Sequence, residues 1–346
     1  MSEDLNCPKH TITFVTPTFN SEAWIDNYVA SIKKQKYPSN LIDILFVDGG
    51  STDKTYEKAS QYGIKIIKND LILGDPGFAV GAENATGDFM VFMGHDNELV
   101  QDNWIESMLA PMLANEEIMA SFPHLENRSE DSWLTRYVNK FTDPGNHFVY
   151  EYANNPLTFG KCYRKLEENK SWVVYDFKVE NHPILEFEQG FTIRRTGYSR
   201  DPSTWYCGIM AVLGLIKTGK KIAYVPVASN YHTTLNKGVL QFIKKHRWAI
   251  NYNLDRRETF GIYKEKFGLK ARKKYISNYR KFRIYFYPFY GISFVIPCIR
   301  SAYMLAKDGD REWIYHAPIT FISAAIIWFE AVRIIVLKGK PITDRY

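Results

Sequence analysis

Cysteine is scarce and scattered: the 346 residues hold four, Cys7, Cys162, Cys207 and Cys298, with no CxxC pair. They read as ordinary thiols of a reducing compartment, not as a disulfide framework. No GxGxxG occurs, so a dinucleotide-binding fold lacks its fingerprint. The first ten residues, MSEDLNCPKH, are polar and acidic, and no signal peptide is expected there. Sequons at Asn84 and Asn127 carry no weight on a chain expected to face the cytosol. Net charge is only +6, from 44 Lys and Arg against 38 Asp and Glu, and no base-reading motif accompanies it. Nucleic acid is therefore not expected as a partner.

What excess there is sits in one place. Lys264–Arg283 carries nine basic residues and one acid, Glu265, directly before an apolar run. Such a block reads as juxtamembrane and cytoplasmic. Two apolar stretches follow: Ile284–Ala306, 23 residues interrupted by Pro288, Pro297 and Arg300, and Trp313–Leu337, 25 residues carrying His316, Glu330 and Arg333. Both approach or exceed the roughly 20 residues that cross a bilayer, so at least two spans are expected. Aromatics reach 15% of the chain, and such residues crowd at membrane interfaces and sugar-binding surfaces.

Upstream, strand-like and helix-like segments alternate. Strands are expected at Thr11–Val15, Ile42–Val47, Ile64–Ile67, Phe89–Met93, Gln189–Arg195 and Lys221–Pro226. Trp24, Ile25, Tyr28, Val29 and Ile32 recur at helical spacing behind Asn20 or Ser21 as N-cap. Shorter helices are expected after the turn Gly49–Asp53, over Ala79–Ala85, and from Pro202 to Thr218 with Asp201 as N-cap. This alternation argues an α/β chain with a parallel sheet and right-handed crossovers. Phe89–Met93 is five apolar residues in a row, the mark of a strand covered on both faces. It runs into a polar loop bearing Asp96. Ligands of open α/β sheets sit at strand carboxyl ends, where a carboxylate usually grips a divalent metal or a ribose. Residues 100–190 are less regular and are expected to supply the acceptor side.

Three motifs in order, PTFN (Pro17–Asn20), VDGGSTD (Val47–Asp53) and GDFMVFMGHD (Gly87–Asp96), resemble glycosyltransferase family 2, over roughly residues 10–235. The resemblance implies a GT-A fold, a nucleotide-sugar-binding, mostly parallel sheet with helices on both faces. It puts Pro17, Thr18 and Glu22 in the turn that holds the nucleoside, with Asp48 on the base or ribose. Helix capping is the other reading of Thr18 and Glu22, and loop capping that of Asp48. The family's DXD motif falls on Gly94-His95-Asp96. Its first carboxylate is lost to Gly94, while Asp96 keeps the metal-binding position. His232 stands where this fold often supplies a histidine ligand, which would favour Mn2+ over Mg2+; a structural histidine is the alternative.

Relatives carry a Glu-Asp general base where this chain has Cys207 and Gly208. Asp201 is the expected substitute, although a phosphate acceptor, already anionic, needs no strong base. LysLysHisArgTrp (Lys244–Trp248) resembles a QXXRW motif, with Arg247 to neutralise the leaving diphosphate and Trp248 to stack on the acceptor sugar. The other reading is an interfacial helix with a Trp anchor. Three regions follow: a cytoplasmic catalytic domain over 1–235, a basic interfacial segment over 236–283, and a membrane region over 284–346. The expected activity is inverting transfer of a hexose from GDP-mannose or UDP-glucose, with Mn2+ or Mg2+. The acceptor is a polyprenyl or dolichyl phosphate, or a lipid-linked glycan. A processive polysaccharide synthase subunit and an inactive sugar-nucleotide-binding membrane protein are the rivals.

Overall fold

The computed structural model describes residues 10–70, 72–185, 187–199, 207–234, 238–254, 276–340 and 342. They form two compact units. One takes in 1–126, 164–176 and 185–232, the other 127–163, 177–184 and 233–346. The segments 127–163 and 177–184 thus fold with the C-terminal third rather than with the residues that flank them.

A single sheet organises the first unit. In chain order its strands are β1 (Ile12–Thr18), β2 (Ile42–Asp48), β3 (Lys65–Lys68), β4 (Phe89–Met93), β5 (Asn97–Leu99), β6 (Ile118–Glu126), β7 (Lys165–Glu168), β8 (Val173–Tyr175), β9 (Gln189–Arg194) and β10 (Lys221–His232). They lie in the order β3-β2-β1-β4-β9-β6-β10-β8-β7, with β5 paired to β10. β1 to β4 are parallel, but β9 runs antiparallel between β4 and β6. The expected mostly parallel sheet is therefore corrected to a mixed one. Apolar patterning locates a strand without giving its direction. A strand that returns after a long excursion is free of the crossover constraint of a βαβ unit.

Four helices accompany this half: α1 (Ile25–Lys33), α2 (Thr55–Gln61), α3 (Gly74–Asn84) and α4 (Trp104–Ala114). α1 buries Ile25, Tyr28, Val29 and Ile32, the stripe its spacing prescribes. Trp24 is its N-cap and no side chain caps it, so Asn20 and Ser21 are freed for another task described below. α3 starts five residues before Ala79 because its glycines let its backbone lie on β1. A Cβ on Gly81 would meet Val15 Cγ1 at 2.2 Å, and one on Gly77 would meet Pro17 Cβ at 2.9 Å. Phe14, Phe46, Phe89, Val91, Met93 and Trp104 fill the core. Burying each such side chain is worth roughly 1.5–3 kcal/mol.

The chain continues through α5 (Trp133–Phe141), α6 (Pro144–Tyr150), α7 (Cys207–Lys217), α8 (Val239–Leu254), α9 (Asn278–Ile292), α10 (Val295–Asp308) and α11 (Trp313–Ala331). α7 belongs to the first unit, and the others to the second. Leu134, Tyr137, Phe141, Phe242, Met304, Trp313 and Ile319 form the second unit's core. Among the described residues one helix, Trp313–Val336, is long and apolar enough to cross a membrane. The other expected span is not one helix. α9 and α10 meet at 98°, a broken span or a re-entrant hairpin, so the multi-pass expectation is corrected to one candidate span and one bent pair. The break falls at Phe294, whose φ of 54° is left-handed. Pro297 follows in the first turn of α10, where a helix needs no amide donor.

The end of the basic block is not a solvated face either. Arg280 and Arg283 are buried. Arg280 donates to the His182 carbonyl at 2.7 Å, while Arg283 donates to the Phe148 carbonyl at 2.7 Å and lies over the Phe148 ring. Exposed apolar side chains lie along the same helices, Phe282, Phe286 and Phe289 on α9 and Ile296, Ile299 and Tyr303 on α10.

Candidate active site

β1 and β2 end side by side, Thr18 opposite Asp48, and their loops are welded together. Asn20 N–H donates to Ser51 Oγ at 2.8 Å, and Thr52 N–H to Asn20 Oδ1 at 2.9 Å. Ser21 N–H donates to Thr55 Oγ1, and Glu22 N–H to Asp53 Oδ2. The Glu22 carboxylate accepts from the Lys54 amide at 3.3 Å. Asp48 is the hub. Its Oδ1 accepts from the Thr18 and Ser51 hydroxyls at 2.9 and 2.5 Å, its Oδ2 from the Gly50 and Ser51 amides at 2.8 Å each. Burial pushes its carboxyl up, but the Ser51 and Thr18 hydrogen bonds outweigh this and hold it below the usual carboxylate range. Thr18, Glu22 and Asp48 thus all hold the loops together: Asp48 caps its own loop, whereas Thr18 serves Asp48 and no side chain caps α1 or α2. Pro17 lies under α3, and its carbonyl accepts from His95 Nδ1 at 3.3 Å.

At the end of β4 the chain turns into β5, which pairs antiparallel with β10 so that Asn97 faces His232. That register brings Asp96 Oδ2 to 3.5 Å from His232 Nε2. Asn97 Nδ2 donates to Asp96 Oδ1 at 3.1 Å. A Cβ on Gly94 would meet Asp96 Oδ1 at 2.8 Å, so a second carboxylate there would have to displace the first. Behind the pair lies Gln189, which the sequence analysis missed. Phe92 pairs with Phe191 and Met93 with Gln189, which leaves Gly190 as an extra residue, a bulge, at φ 96°. The bulge aims Gln189 at β10, where its Nε2 meets His232 Nδ1 at 3.0 Å and its carbonyl accepts from Asn230 Nδ2 at 2.7 Å. Only the polarity of Gln189 at the head of an apolar strand hinted at this role.

Two further acids were missed. Asp75 opens α3, and burial pushes its carboxyl well above the usual range, helped by the charge of Glu188. Glu188 in turn accepts from the Gly94 amide through its carbonyl at 2.6 Å. No local pattern joins residues so far apart in sequence.

Among the described residues no group of three His, Cys, Asp or Glu is placed to hold a metal. Asp96 and His232 nonetheless fit a cation that takes its remaining ligands from a diphosphate. The buried Gln189 Oε1 and Asn97 Oδ1 make no hydrogen bond. Turning over the Gln189 amide sets Oε1 on a protonated His232 Nδ1, the tautomer whose Nε2 lone pair lies on the Asp96 side of the ring.

Residues 13–169 match the family model described as Glycosyl transferase family 2. Over that segment the chain is similar to glycosyl transferase family 2. One relative is the dolichyl N-acetyl-alpha-D-glucosaminyl phosphate 3-beta-D-2,3-diacetamido-2,3-dideoxy-beta-D-glucuronosyltransferase of Methanococcus voltae. It is 36% identical over 90 residues, 24% of this chain and 28% of that protein. Another is the glucosyl-3-phosphoglycerate synthase of Petrotoga mobilis, 30% identical over 118 residues, 31% of this chain and 36% of that protein. The chain therefore spans about a third or less of the length of these relatives. Among solved structures, the mannosyltransferase PcManGT from Pyrobaculum calidifontis, in complex with GDP-Man and Mn2+, has a TM-score of 0.52 at 12% identity. That likeness covers 94% of this chain and 88% of the other, and shows a shared fold.

The remaining expected residues lie elsewhere. Asp201 lies outside the described residues. Arg247 and Trp248 are on α8, in the second unit. Arg247 Nε donates to the buried Glu330 at 2.6 Å, and Arg333 holds the other oxygen of that carboxylate at 2.6 Å. A buried carboxylate on an apolar helix needs such partners, so Arg247 ties α8 to α11. Gly208 stands where the resemblance puts the base, and its Cβ would meet Phe187 Cβ at 2.6 Å.

Proposed function

We propose that this chain is a membrane-associated, metal-dependent, inverting glycosyltransferase. It takes a hexose from a nucleoside diphosphate sugar, GDP-mannose or UDP-glucose, and gives it to a polyprenyl or dolichyl phosphate or a glycan built on one. The observation that carries the reading is the Asp96–His232 pair at 3.5 Å, assembled by the β5–β10 register at the carboxyl end of the buried strand β4. The match of residues 13–169 to the family model supports the reaction class. GDP-Man in the similarly folded PcManGT and the dolichyl-linked acceptor in the name of the Methanococcus relative support the substrates. The candidate span Trp313–Val336 and the apolar face of α9 and α10 support attachment to a bilayer.

Asp96 and His232 would hold Mn2+ or Mg2+, which supplies positive charge for the diphosphate oxygens. Gln189 keeps the His232 ring in place, and Asp48 keeps the nucleoside-facing loops in one shape through Thr18, Gly50 and Ser51. An acceptor oxygen attacks the anomeric carbon from the face opposite the diphosphate. The new C–O bond forms as the old one breaks, and its electron pair leaves with the nucleotide. A phosphate acceptor arrives without a proton to lose; for a hydroxyl acceptor Asp201 is assigned as base. Arg247, engaged with Glu330, is given no part in the transfer.

The test uses the full chain in detergent with labelled GDP-mannose and UDP-glucose and a polyprenyl phosphate. One sugar per acceptor is expected. Activity should fall at least about 100-fold in Asp96→Ala, more than the 10–100-fold cost of disturbing a ligand's support. Undiminished transfer by Asp96→Ala would overturn the reading, and a product ladder would replace it with a processive synthase.

A further inference from the structure

The second unit encloses a cavity of about 220 Å3 that the transfer reaction does not use. Its walls come from α5, α6, α10, the start of α11 and the turns over 151–158. Phe141, Tyr152, Tyr303 and Trp313 give it flat apolar surface. Its charges are already paired with one another or with neighbours. Lys140 pairs with Asp310, Arg300 lies 3.5 Å from Glu151, and Asp308 lies 3.3 Å from Lys161. Among the lining residues three carboxylates outnumber two cations, so an entering phosphate gains nothing from the local field.

What is left over is donors. His147 Nε2 and Arg300 Nε make no hydrogen bond, and His147 is 6% exposed. The other nitrogen of that ring is occupied, with Nδ1 at 3.3 Å from Asn154 Nδ2. Burial, with His316 and Arg300 nearby, holds His147 uncharged at neutral pH. A neutral ring that accepts at Nδ1 carries its proton on Nε2. A buried donor with nothing to accept from it calls for a ligand oxygen. Aromatic faces, unused donors and carboxylate acceptors together suit a polyhydroxylated ring with an apolar face. The volume lies below the roughly 300–1,000 Å3 of drug-sized sites and leaves room for a single ring.

We propose that this cavity binds one neutral sugar residue. A ring face lies on the aromatic walls, hydroxyl oxygens accept from His147 Nε2 and Arg300 Nε, and hydroxyl protons go to Glu151, Asp308 and Asp310. Asp308 ends α10 and Asp310 lies in the turn before α11, so the sugar sits beside the start of the candidate span Trp313–Val336. The site stands apart from the transfer reading.

The experiment titrates the full chain in detergent, without nucleotide, with methyl mannoside, methyl glucoside and methyl N-acetylglucosaminide. Binding is followed by tryptophan emission and by saturation-transfer NMR. Saturable binding of at least one glycoside is expected, indifferent to inorganic phosphate. His147→Phe should weaken it by about tenfold or more, the loss of one directed hydrogen bond. Tyr303→Ala, at a 61% exposed rim position, should weaken it with the unfolding midpoint unchanged. Absence of saturable binding, displacement by phosphate or by nucleotide sugar, or full affinity in both variants would overturn the proposal. Asp96→Ala should keep the sugar affinity while losing transfer, so the two readings fail separately.

Discussion

Asp48→Ala removes the carboxylate around which the loops after β1 and β2 are wound. Asp48 is fully buried and accepts hydrogen bonds from the Thr18 hydroxyl, the Gly50 amide, and the Ser51 amide and hydroxyl, with the Tyr56 hydroxyl as a further donor. In the alanine variant the hydroxyls can rotate to other partners, but the two amides cannot. Both amides are only part-buried, so each unmet donor counts at the low end of the range, roughly 1–2 kcal/mol, and the expected loss is about 2–4 kcal/mol. At about 2–4 °C per kcal/mol for a large domain, the unfolding midpoint drops by about 4–16 °C. Differential scanning calorimetry at neutral pH reads this directly, and Asp48→Asn, which keeps one acceptor oxygen, should lose less. Acid gives a second arm. The folded carboxyl titrates below its ordinary value, because Ser51 and Thr18 outweigh the effect of burial. A depressed folded pKa stabilises fully above the unfolded value of about 3.9 and is lost as pH falls through the folded one. The gap between wild type and Asp48→Ala should therefore be flat near neutrality and close below about pH 4. A variant that melts within about 1 °C of wild type, or a gap that widens in acid, refutes the hub assignment.

Two other substitutions probe the metal-facing side. Gly190→Ala puts a Cβ 2.6 Å from Asn230 Nδ2 and 2.9 Å from Trp104 Cζ2 at a left-handed φ; a loss of about 2–4 kcal/mol in thermal unfolding is expected, and near-native stability would mean the bulge can rearrange freely. Gln189→Leu removes the group that holds His232 Nδ1; Mn2+ affinity by electron paramagnetic resonance titration should fall about 10–100-fold with little change in melting, and an unchanged affinity would take Gln189 out of the site.

Much of the first unit was legible because its signals are local. Five apolar residues gave β4 its bounds, Phe89–Met93, and the carboxylates after β2 and β4 announced themselves by following apolar runs. Partners from distant segments were not legible. Gln189 reaches His232 only because a bulge and an antiparallel insertion, both set by tertiary pairing, put β9 beside β4. Asp75 meets Glu188 across more than a hundred residues. Gly-Asp-Pro-Gly at the start of α3 carries the composition of a turn, and only its fit on β1 makes it helical. Basic residues before an apolar run read as a juxtamembrane block, and nothing in that pattern showed that Arg280 and Arg283 are spent on carbonyls inside the second unit.

β10 loses its register with β6 between Val225 and Ser229, where Pro226 cannot donate to the ladder, and regains it over Ser229–Tyr231, while His232 pairs with Asn97 of β5. Slack in the strand is thereby collected in one short stretch. A residue gained or lost there can be absorbed where the ladder is already out of step. The same change within Asn230–His232 would turn the imidazole to the opposite side of the sheet, since side chains alternate at every step. Length variation at this edge should be tolerated up to Ser229 and forbidden three residues later.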